Sequence, residues 1–136
     1  MRLPAKRSRN GAAATELALL LPFLCFLFVI TIDFARVFYF SMTVTNCART
    51  AAVYASANPV AALDQTGITA AAQADASNLD LQQLQVTSTP DNATNPTYVD
   101  VTVTYPFATI TNYPGVPSKM TLSRTIRMRV TPLVPG

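Results

Sequence analysis

A single carboxylate, Glu16, lies near the beginning of a long apolar stretch, five residues after Gly11. An ionised carboxylate inside a membrane costs at least about 2.5 kcal/mol unless a cation or water reaches it. Such a group can pair with an amine or a basic side chain on a packed helix. It can also lie one turn below the lipid headgroups, extend toward water and favour the helix N-terminus through the helix dipole. The residue types alone leave both interpretations open.

The remaining polar residues offer no catalytic or metal-binding set. The sequence has no histidine, the commonest general base and metal ligand. Its two cysteines, Cys25 and Cys47, would be about 33 Å apart along one helix at ~1.5 Å per residue, too far for a disulfide. The acids further along the chain lie in segments of different type: Asp64, Asp75, Asp80, Asp91 and Asp100. We therefore expect a protein that is not an enzyme and that carries no cofactor and no metal.

The basic residues are concentrated at the N-terminus. The chain of 136 residues has a formal charge of +3, but four of its ten basic residues lie within the first nine positions. Arg124, Arg127 and Arg129 form one further group, which the solvated face of a strand explains equally well. We therefore expect no nucleic-acid binding, and we interpret residues 1–11 as a basic cytoplasmic leader.

An apolar run of about 21 residues follows the leader, enough to cross ~30 Å of bilayer as a helix. Positive charge before the run predicts a cytoplasmic N-terminus and an extracytoplasmic C-terminal region. A secretory signal peptide begins in the same way, but TIDFARVFYF follows here instead of a small-residue cleavage site. Asp33 and Arg36, spaced i and i+3, would form a pair at the outer membrane edge. We interpret this pair as a marker of the headgroup level, with a partner contact as the alternative.

The helical pattern continues beyond the membrane, and residues 12–57 are predicted to form one transmembrane and extended helix. No glycine or proline interrupts the chain from Phe34 to Ser56, and the pair Asn58-Pro59 ends the helix. At ~100° per residue, one face of the outer half carries Phe34, Val37, Phe38, Ser41, Thr45, Ala48, Ala52 and Ala55. This face is bulky near the membrane and small beyond it. We therefore expect a sheet to pack closely on Ser41, Thr45, Ala48 and Ala52.

The remainder, residues 58–136, is predicted to be a small extracytoplasmic α+β region. An alanine-rich stretch predicts a short second helix, best between Ile68 and Asn78, with Gly67 as a discontinuity. Beyond Leu84 the pattern changes to alternation in LQVTST, TYVDVTVTYPF and MTLSRTIRMRV, which predicts three strands. The connections favour a three-stranded antiparallel sheet whose valine face covers the outer half of the long helix. The expected fold class is therefore α+β.

The stretch RNGAAATELALLLPFL, followed by DFARVFYFSMTVTNCARTAAVYA, resembles the TadE-like family, pseudopilins of the tight-adherence pilus and secretion machinery. The resemblance covers residues 9 to about 57 and implies a pilin-like fold. It implies that a prepilin-type peptidase, a membrane aspartic protease, cuts after Gly11 on the cytoplasmic side. Glu16 would then be the fifth residue of the mature chain, and its implied role is to pair with the new α-amino group of its own or a neighbouring subunit. Conventional type IV pilins place a bulky apolar residue after the glycine, whereas this chain has Ala12, as TadE-like proteins often do.

The resemblance implies a structural function as a minor pilin or pseudopilin, in assembly of an adhesion pilus or a secretion apparatus. The expected partners are other pilin-like subunits, the pilus or secretion machinery, the peptidase and membrane lipid. The expected location is the bacterial inner membrane, as a single-pass protein. A signal-anchored extracytoplasmic binding module without a filament role is the alternative. The two differ in the span, because an anchor needs only hydrophobicity, whereas a pilin-like helix needs Gly11 and Glu16.

Overall fold

One long helix forms the axis of the molecule. The computed structural model describes residues 10–110 and 118–133, so the basic residues of the expected leader lie outside the described residues. Helix α1, Asn10–Ser56, has 47 residues and is ~70 Å long at ~1.5 Å per residue. Pro22 lies inside α1 and removes one backbone donor without ending the helix. Among the described residues, α1 is the one helix that is long and apolar enough to cross a membrane.

The chain resumes a helical conformation soon after α1. Helix α2, Pro59–Leu63, begins with proline, whose fixed φ and missing N–H suit the first helical turn. Asn58 precedes it, and its side-chain Oδ1 accepts a hydrogen bond from the Ala61 N–H at 2.8 Å. The same Asn-Pro pair that follows α1 therefore starts a second helix, which the sequence did not predict.

Helix α3, Gln65–Ala74, begins three residues before the predicted range Ile68–Asn78 and ends four residues before its end. Gly67 is not a discontinuity, because its N–H donates to Asp64 Oδ1 at 3.0 Å in an N-cap contact. A side-chain cap can hold a glycine within the first turn of a helix. The glycine therefore did not mark the helix boundary.

Three antiparallel strands form one sheet in the order β1-β2-β3, as predicted. The strands are β1 Gln85–Pro90, β2 Tyr98–Ala108 and β3 Lys119–Arg129. Alternation along β2 buries its valines together with Tyr105 and Phe107, while the intervening polar residues lie on the outer face. The predicted α+β fold is therefore confirmed, with an apolar inner sheet face that the helix covers.

The core lies between this inner face and the outer half of α1. The helix contributes mostly small side chains to it: Val44, Cys47, Ala48, Ala51, Ala52 and Ala55. The predicted helix face was partly wrong, because Phe34 and Phe38 are 72% and 69% exposed. Phe40 packs against the core instead, stacked on Tyr105 with 5.9 Å between ring centroids. On a helix that continues an apolar span, a large side chain can face lipid, so size does not identify the side that faces the core.

Candidate functional site

Gly11 lies in the first turn of α1, at a place where the fold does not require glycine. A Cβ atom added to it would meet nothing within 4 Å. Its carbonyl oxygen accepts a hydrogen bond from Thr15 Oγ1 at 2.7 Å, a contact that any residue type at position 11 would allow. Gly11 and Ala12 are both exposed. A requirement for glycine here would therefore come from a protein that recognises the chain and not from folding.

Glu16 is an exposed carboxylate on an apolar helix. The leucines beside it are also exposed, by 57% at Leu17, 77% at Leu19 and 55% at Leu20. No Lys or Arg side chain of the described residues lies within ion-pair distance of Glu16. The helix dipole acts mainly over the first turn, and Glu16 lies beyond it. The fold therefore gives this carboxylate no charged partner. It can bind water at headgroup level, or pair with a new N-terminal amine or with a group on another subunit.

Asp33 is buried in the protein at the outer end of the apolar run, with only 5% of its surface exposed. Its Oδ1 accepts a hydrogen bond from the backbone N–H of Ile110 at 3.0 Å, just after β2. Arg36 Nη1 lies 3.4 Å from the same oxygen, and its guanidinium carbon lies 5.2 Å from the Phe107 ring centroid. Asp33 and Arg36, the expected membrane-edge pair, therefore join the helix to the sheet, a link that their spacing along one helix could not show.

Ser41, Thr45, Ala48 and Ala52, the predicted helix–sheet packing residues, differ in their surroundings. Ala48 and Ala52 are fully buried in the cluster that contains the β2 valines. Ser41 is half-buried, and its Oγ accepts a hydrogen bond from Arg124 Nη2 at 2.8 Å. Thr45 Oγ1 instead donates to the Ser41 carbonyl at 2.8 Å, within the helix. The alanines thus lie in the core, and Ser41 makes a polar contact with β3.

The predicted site residues, from Gly11 to Ala52, lie in a stretch that is similar to a known family. Residues 11–53 match the family model of TadE-like proteins. This TadE-like segment begins at Gly11 and includes both Glu16 and Asp33. The resemblance inferred from residues 9–57 is therefore confirmed over this segment. No curated protein and no solved structure matches the chain.

Beyond the TadE-like segment, Asp64 joins the end of α1 to the start of α3. The Tyr54 hydroxyl donates to Asp64 Oδ2 at 2.9 Å, and the Gly67 N–H donates to Oδ1. A Cβ atom on residue 67 would come within 2.2 Å of the Tyr54 oxygen, so a side chain there would displace Tyr54 and Asp64 from this contact. The spacing of Tyr54 and Asp64 does not reveal the contact.

These hydrogen bonds hold the pKa of Asp64 below its ordinary value, first through the Gly67 N–H and then through the Tyr54 hydroxyl. A carboxyl group whose pKa is lowered by folding stabilises the fold above its unfolded pKa of ~3.9, and that contribution is lost as the pH falls further. The contact lies at the surface, where solvent screening keeps its contribution to stability small.

A polar groove of about 440 Å³ lies beside α1, between its outer half and the turn after α3. Arg49 and Asp75 line it, and Thr50 Oγ1 donates a hydrogen bond to Asp75 Oδ2. Within residues 10–110 and 118–133, no group of three or more His, Cys, Asp or Glu side chains could hold a metal ion. The described residues that line the groove on the α1 side, among them Arg49 and Thr50, belong to the TadE-like segment.

Replacing Ala48 of the TadE-like segment with leucine should disrupt the packing of the sheet on α1. Ala48 has no exposed surface, and overpacking a filled site typically costs ~1–3 kcal/mol. Val53→Leu is the matched control, because Val53 lies on the same helix with 55% of its surface exposed. Limited proteolysis in detergent micelles should cut the sheet faster in Ala48→Leu than in the control. Equal protease resistance of the two variants would show that the site has room for a larger side chain.

Proposed function

We propose that this protein is a TadE-like minor pilin or pseudopilin, a structural subunit in the assembly of an adhesion pilus or a secretion apparatus. One observation carries the proposal: the family match begins at Gly11, the expected cleavage site, and includes Glu16, the one carboxylate of the apolar run. A membrane anchor needs neither residue, because hydrophobicity alone holds a helix in lipid. In this proposal the protein is a structural component and not an enzyme.

The form of α1 supports a role in assembly. The helix runs without a break from the expected cleavage site to the sheet, so contacts in the membrane and the position of the sheet depend on one element. The apolar half of α1 has almost no protein around it, with Leu19, Phe23 and Phe28 exposed by 77%, 58% and 67%. Such side chains need lipid or other helices as neighbours. The partners that we propose are membrane lipid, other pilin-like subunits and a prepilin-type peptidase.

Cleavage after Gly11 would give Glu16 a counter-charge. The new amine on Ala12 would lie four residues before Glu16, about 6 Å along the helix at ~1.5 Å per residue. Residues four apart are neighbours on one helix face, so the amine can pair with the carboxylate of its own chain or of an adjacent helix. Pairing would neutralise two charges that are each costly in lipid. It would also fix the axial register of packed helices.

Gly11→Leu should block processing. The leucine side chain has space in the fold, so we expect the variant to fold normally and to fail only at a peptidase that requires glycine. N-terminal sequencing of protein from its native membrane should give Ala12 as the first residue of the wild type. The variant should keep its leader and migrate more slowly on a gel.

The control for this experiment is Ala18→Leu, at an exposed position further along the same helix. It should be processed like the wild type, because it adds the same side chain away from the cleavage site. Normal cleavage of Gly11→Leu, or a wild-type chain that still begins at Met1, would favour the signal-anchored binding module.

We propose that the chain is a single-pass protein of the bacterial inner membrane with its N-terminus in the cytoplasm. Four basic residues precede the apolar run, and positively charged flanks are retained on the cytoplasmic side. Alkaline phosphatase fused after residue 57 should therefore be active, and a reporter that works only in the cytoplasm should be inactive at the same site. Replacing the four basic residues with glutamine should weaken this preference. The opposite reporter pattern in the wild type would place the sheet in the cytoplasm.

A further inference from the structure

The two outer edges of the sheet differ in the backbone groups that they leave open. Along β1, the side chain of Gln65 occupies the edge: its Oε1 accepts the Ser88 N–H at 3.1 Å, and its Nε2 donates to the Val86 carbonyl at 3.0 Å. Pro90 occupies the next outward position and has no N–H to donate. The edge of β1 is therefore closed to a further strand.

Half of the β3 backbone groups face away from β2. At one end of the β2–β3 pair, the Val130 N–H donates to the Thr97 carbonyl at 2.8 Å, and at the other the Thr109 N–H donates to the Ser118 carbonyl at 3.2 Å. Directly bonded pairs alternate along an antiparallel ladder, so the intervening residues of β3 direct their N–H and C=O groups outward. These residues are Lys119, Thr121, Ser123, Thr125, Arg127 and Arg129.

Some of these outward backbone groups of β3 are covered by a side chain, and others are open. Arg124 Nη1 donates to the Ser123 carbonyl at 2.9 Å and so covers the middle of the strand. From Thr125 to Arg129, no hydrogen bond from the described residues reaches the outward backbone groups. We name Thr125–Arg129 the open edge. The backbone groups of three alternate residues are available there to an added strand.

The open edge is basic, whereas the chain before it is acidic. Arg124, Arg127 and Arg129 are all exposed on β3. Residues 50–118, in contrast, contain five aspartates and no Lys or Arg. Asp100 neutralises Arg127 through two hydrogen bonds of 2.6 Å. A carboxylate on an added strand would therefore meet Arg129 in the open edge and Arg124 just before it, and neither has an acidic partner among the described residues. Arg124 is already bonded to Ser41 Oγ and the Ser123 carbonyl, so Arg129 is the more accessible of the two.

We propose that the open edge binds an extended, acidic segment of a partner protein as an added strand. Main-chain hydrogen bonds to Thr125, Arg127 and Arg129 provide affinity, and carboxylates beside the arginines provide specificity. A second copy of this chain is a poor occupant, because its β1 edge is closed and its β3 would place arginines against arginines. Charges on an edge strand keep like edges apart. Here they leave the backbone accessible to a strand of opposite charge.

The test measures the binding of two short synthetic peptides to the full-length protein in detergent micelles by fluorescence anisotropy. In one peptide valine alternates with glutamate and threonine, and in the other lysine replaces glutamate. We expect only the glutamate peptide to bind, and we expect added salt to weaken the binding because exposed charges are screened. Amide hydrogen exchange at Thr125, Arg127 and Arg129 should become slower when this peptide is bound.

Two variants separate backbone pairing from charge. Thr125→Pro removes one outward N–H and leaves the bonds to β2 in place, so it should weaken binding about tenfold. Thr125→Val is its matched control, because it keeps the N–H and loses only the hydroxyl contact with Thr102. It should bind like the wild type. Arg129→Glu should shift the preference toward the lysine peptide, and it decides the question if Thr125→Pro does not fold.

Several results would overturn the inference. They are wild-type affinity in Thr125→Pro, equal binding of the two peptides, no binding of the glutamate peptide to the wild type, and self-association of the wild type through the open edge. The inference rests on the sheet edge alone and does not depend on the proposed roles of Gly11 and Glu16. A normal result for Gly11→Leu would therefore leave it standing.

Discussion

Glu16→Ala should leave the protein processed and in the membrane but should prevent it from co-purifying with partner pilins. Glu16 is the one acid between Gly11 and Ile32, and no basic side chain of the described residues pairs with it. Without it, the mature amine of Ala12 would have no counter-charge, at a cost of about 2.5 kcal/mol or more in lipid. We therefore expect co-purification to fall about tenfold or more. Processing should continue, because Gly11 is unchanged.

Two further variants test whether charge is the cause. Glu16→Gln keeps the length of the side chain and removes its charge, so it should behave like Glu16→Ala. Glu16→Asp keeps the charge on a shorter side chain, so it should retain part of the association. The measurement is recovery of partners from detergent-solubilised native membranes with a tagged subunit, quantified by mass spectrometry. Normal association of Glu16→Ala would reduce the carboxylate to a charge near a helix end and would favour the signal-anchored binding module.

Asp33→Ala should release the chain after β2 from helix α1. The Ile110 N–H would lose its acceptor, and Arg36 would lose its counter-charge. A hydrogen bond to a charged group typically contributes ~1.5–3 kcal/mol, and the loss is smaller here because water can reach Ile110, which is 68% exposed. Arg36 adds less to this cost, because its side chain is 35% exposed and can turn toward water.

Hydrogen exchange measures this release directly. The Ile110 amide should exchange about tenfold faster in Asp33→Ala than in the wild type, because that is the amide that Asp33 holds. Asp33→Asn is the matched control: its amide oxygen can still accept the hydrogen bond, so the exchange rate should lie between the two. Wild-type exchange at Ile110 in Asp33→Ala would show that the contact does not hold this part of the chain.

The long helix and the strands could be predicted because local patterns determine them. An uninterrupted apolar run gives α1, and the alternation of valine and threonine gives β2 with little ambiguity. The boundaries of α2 and α3 could not be predicted in the same way, because the side chains of Asn58 and Asp64 start these helices by capping them. Helix α1 ends before Pro59 as predicted, but the Asn58 cap starts α2 there, and the Asp64 cap keeps Gly67 within α3.

In the candidate site, too, the sequence indicates some residues, whereas other contacts are visible only in the structure. Gly11 and Glu16 stand out in sequence because a glycine and an acid are unusual beside an apolar run. The contact of Asp33 with the backbone after β2 joins residues 77 positions apart, and no local pattern indicates it. The closed edge of β1 depends in the same way on Gln65, which lies on α3. Tertiary contacts of single side chains therefore define the parts of the site that sequence does not reveal.

Hydrogen bonds join the sheet to α1 at both ends of the sheet. Next to the apolar run, Asp33 accepts the N–H of Ile110 after β2, and at the far end the Ser56 carbonyl accepts the Thr131 N–H at 2.9 Å. These ties are about 34 Å apart along the helix at ~1.5 Å per residue, and the core fills the space between them. The sheet therefore cannot swivel around the helix axis. Where the apolar half of α1 lies in a bilayer, its rotation about the helix axis sets the direction in which the open edge faces, and neighbouring helices that rotate it also reorient the sheet.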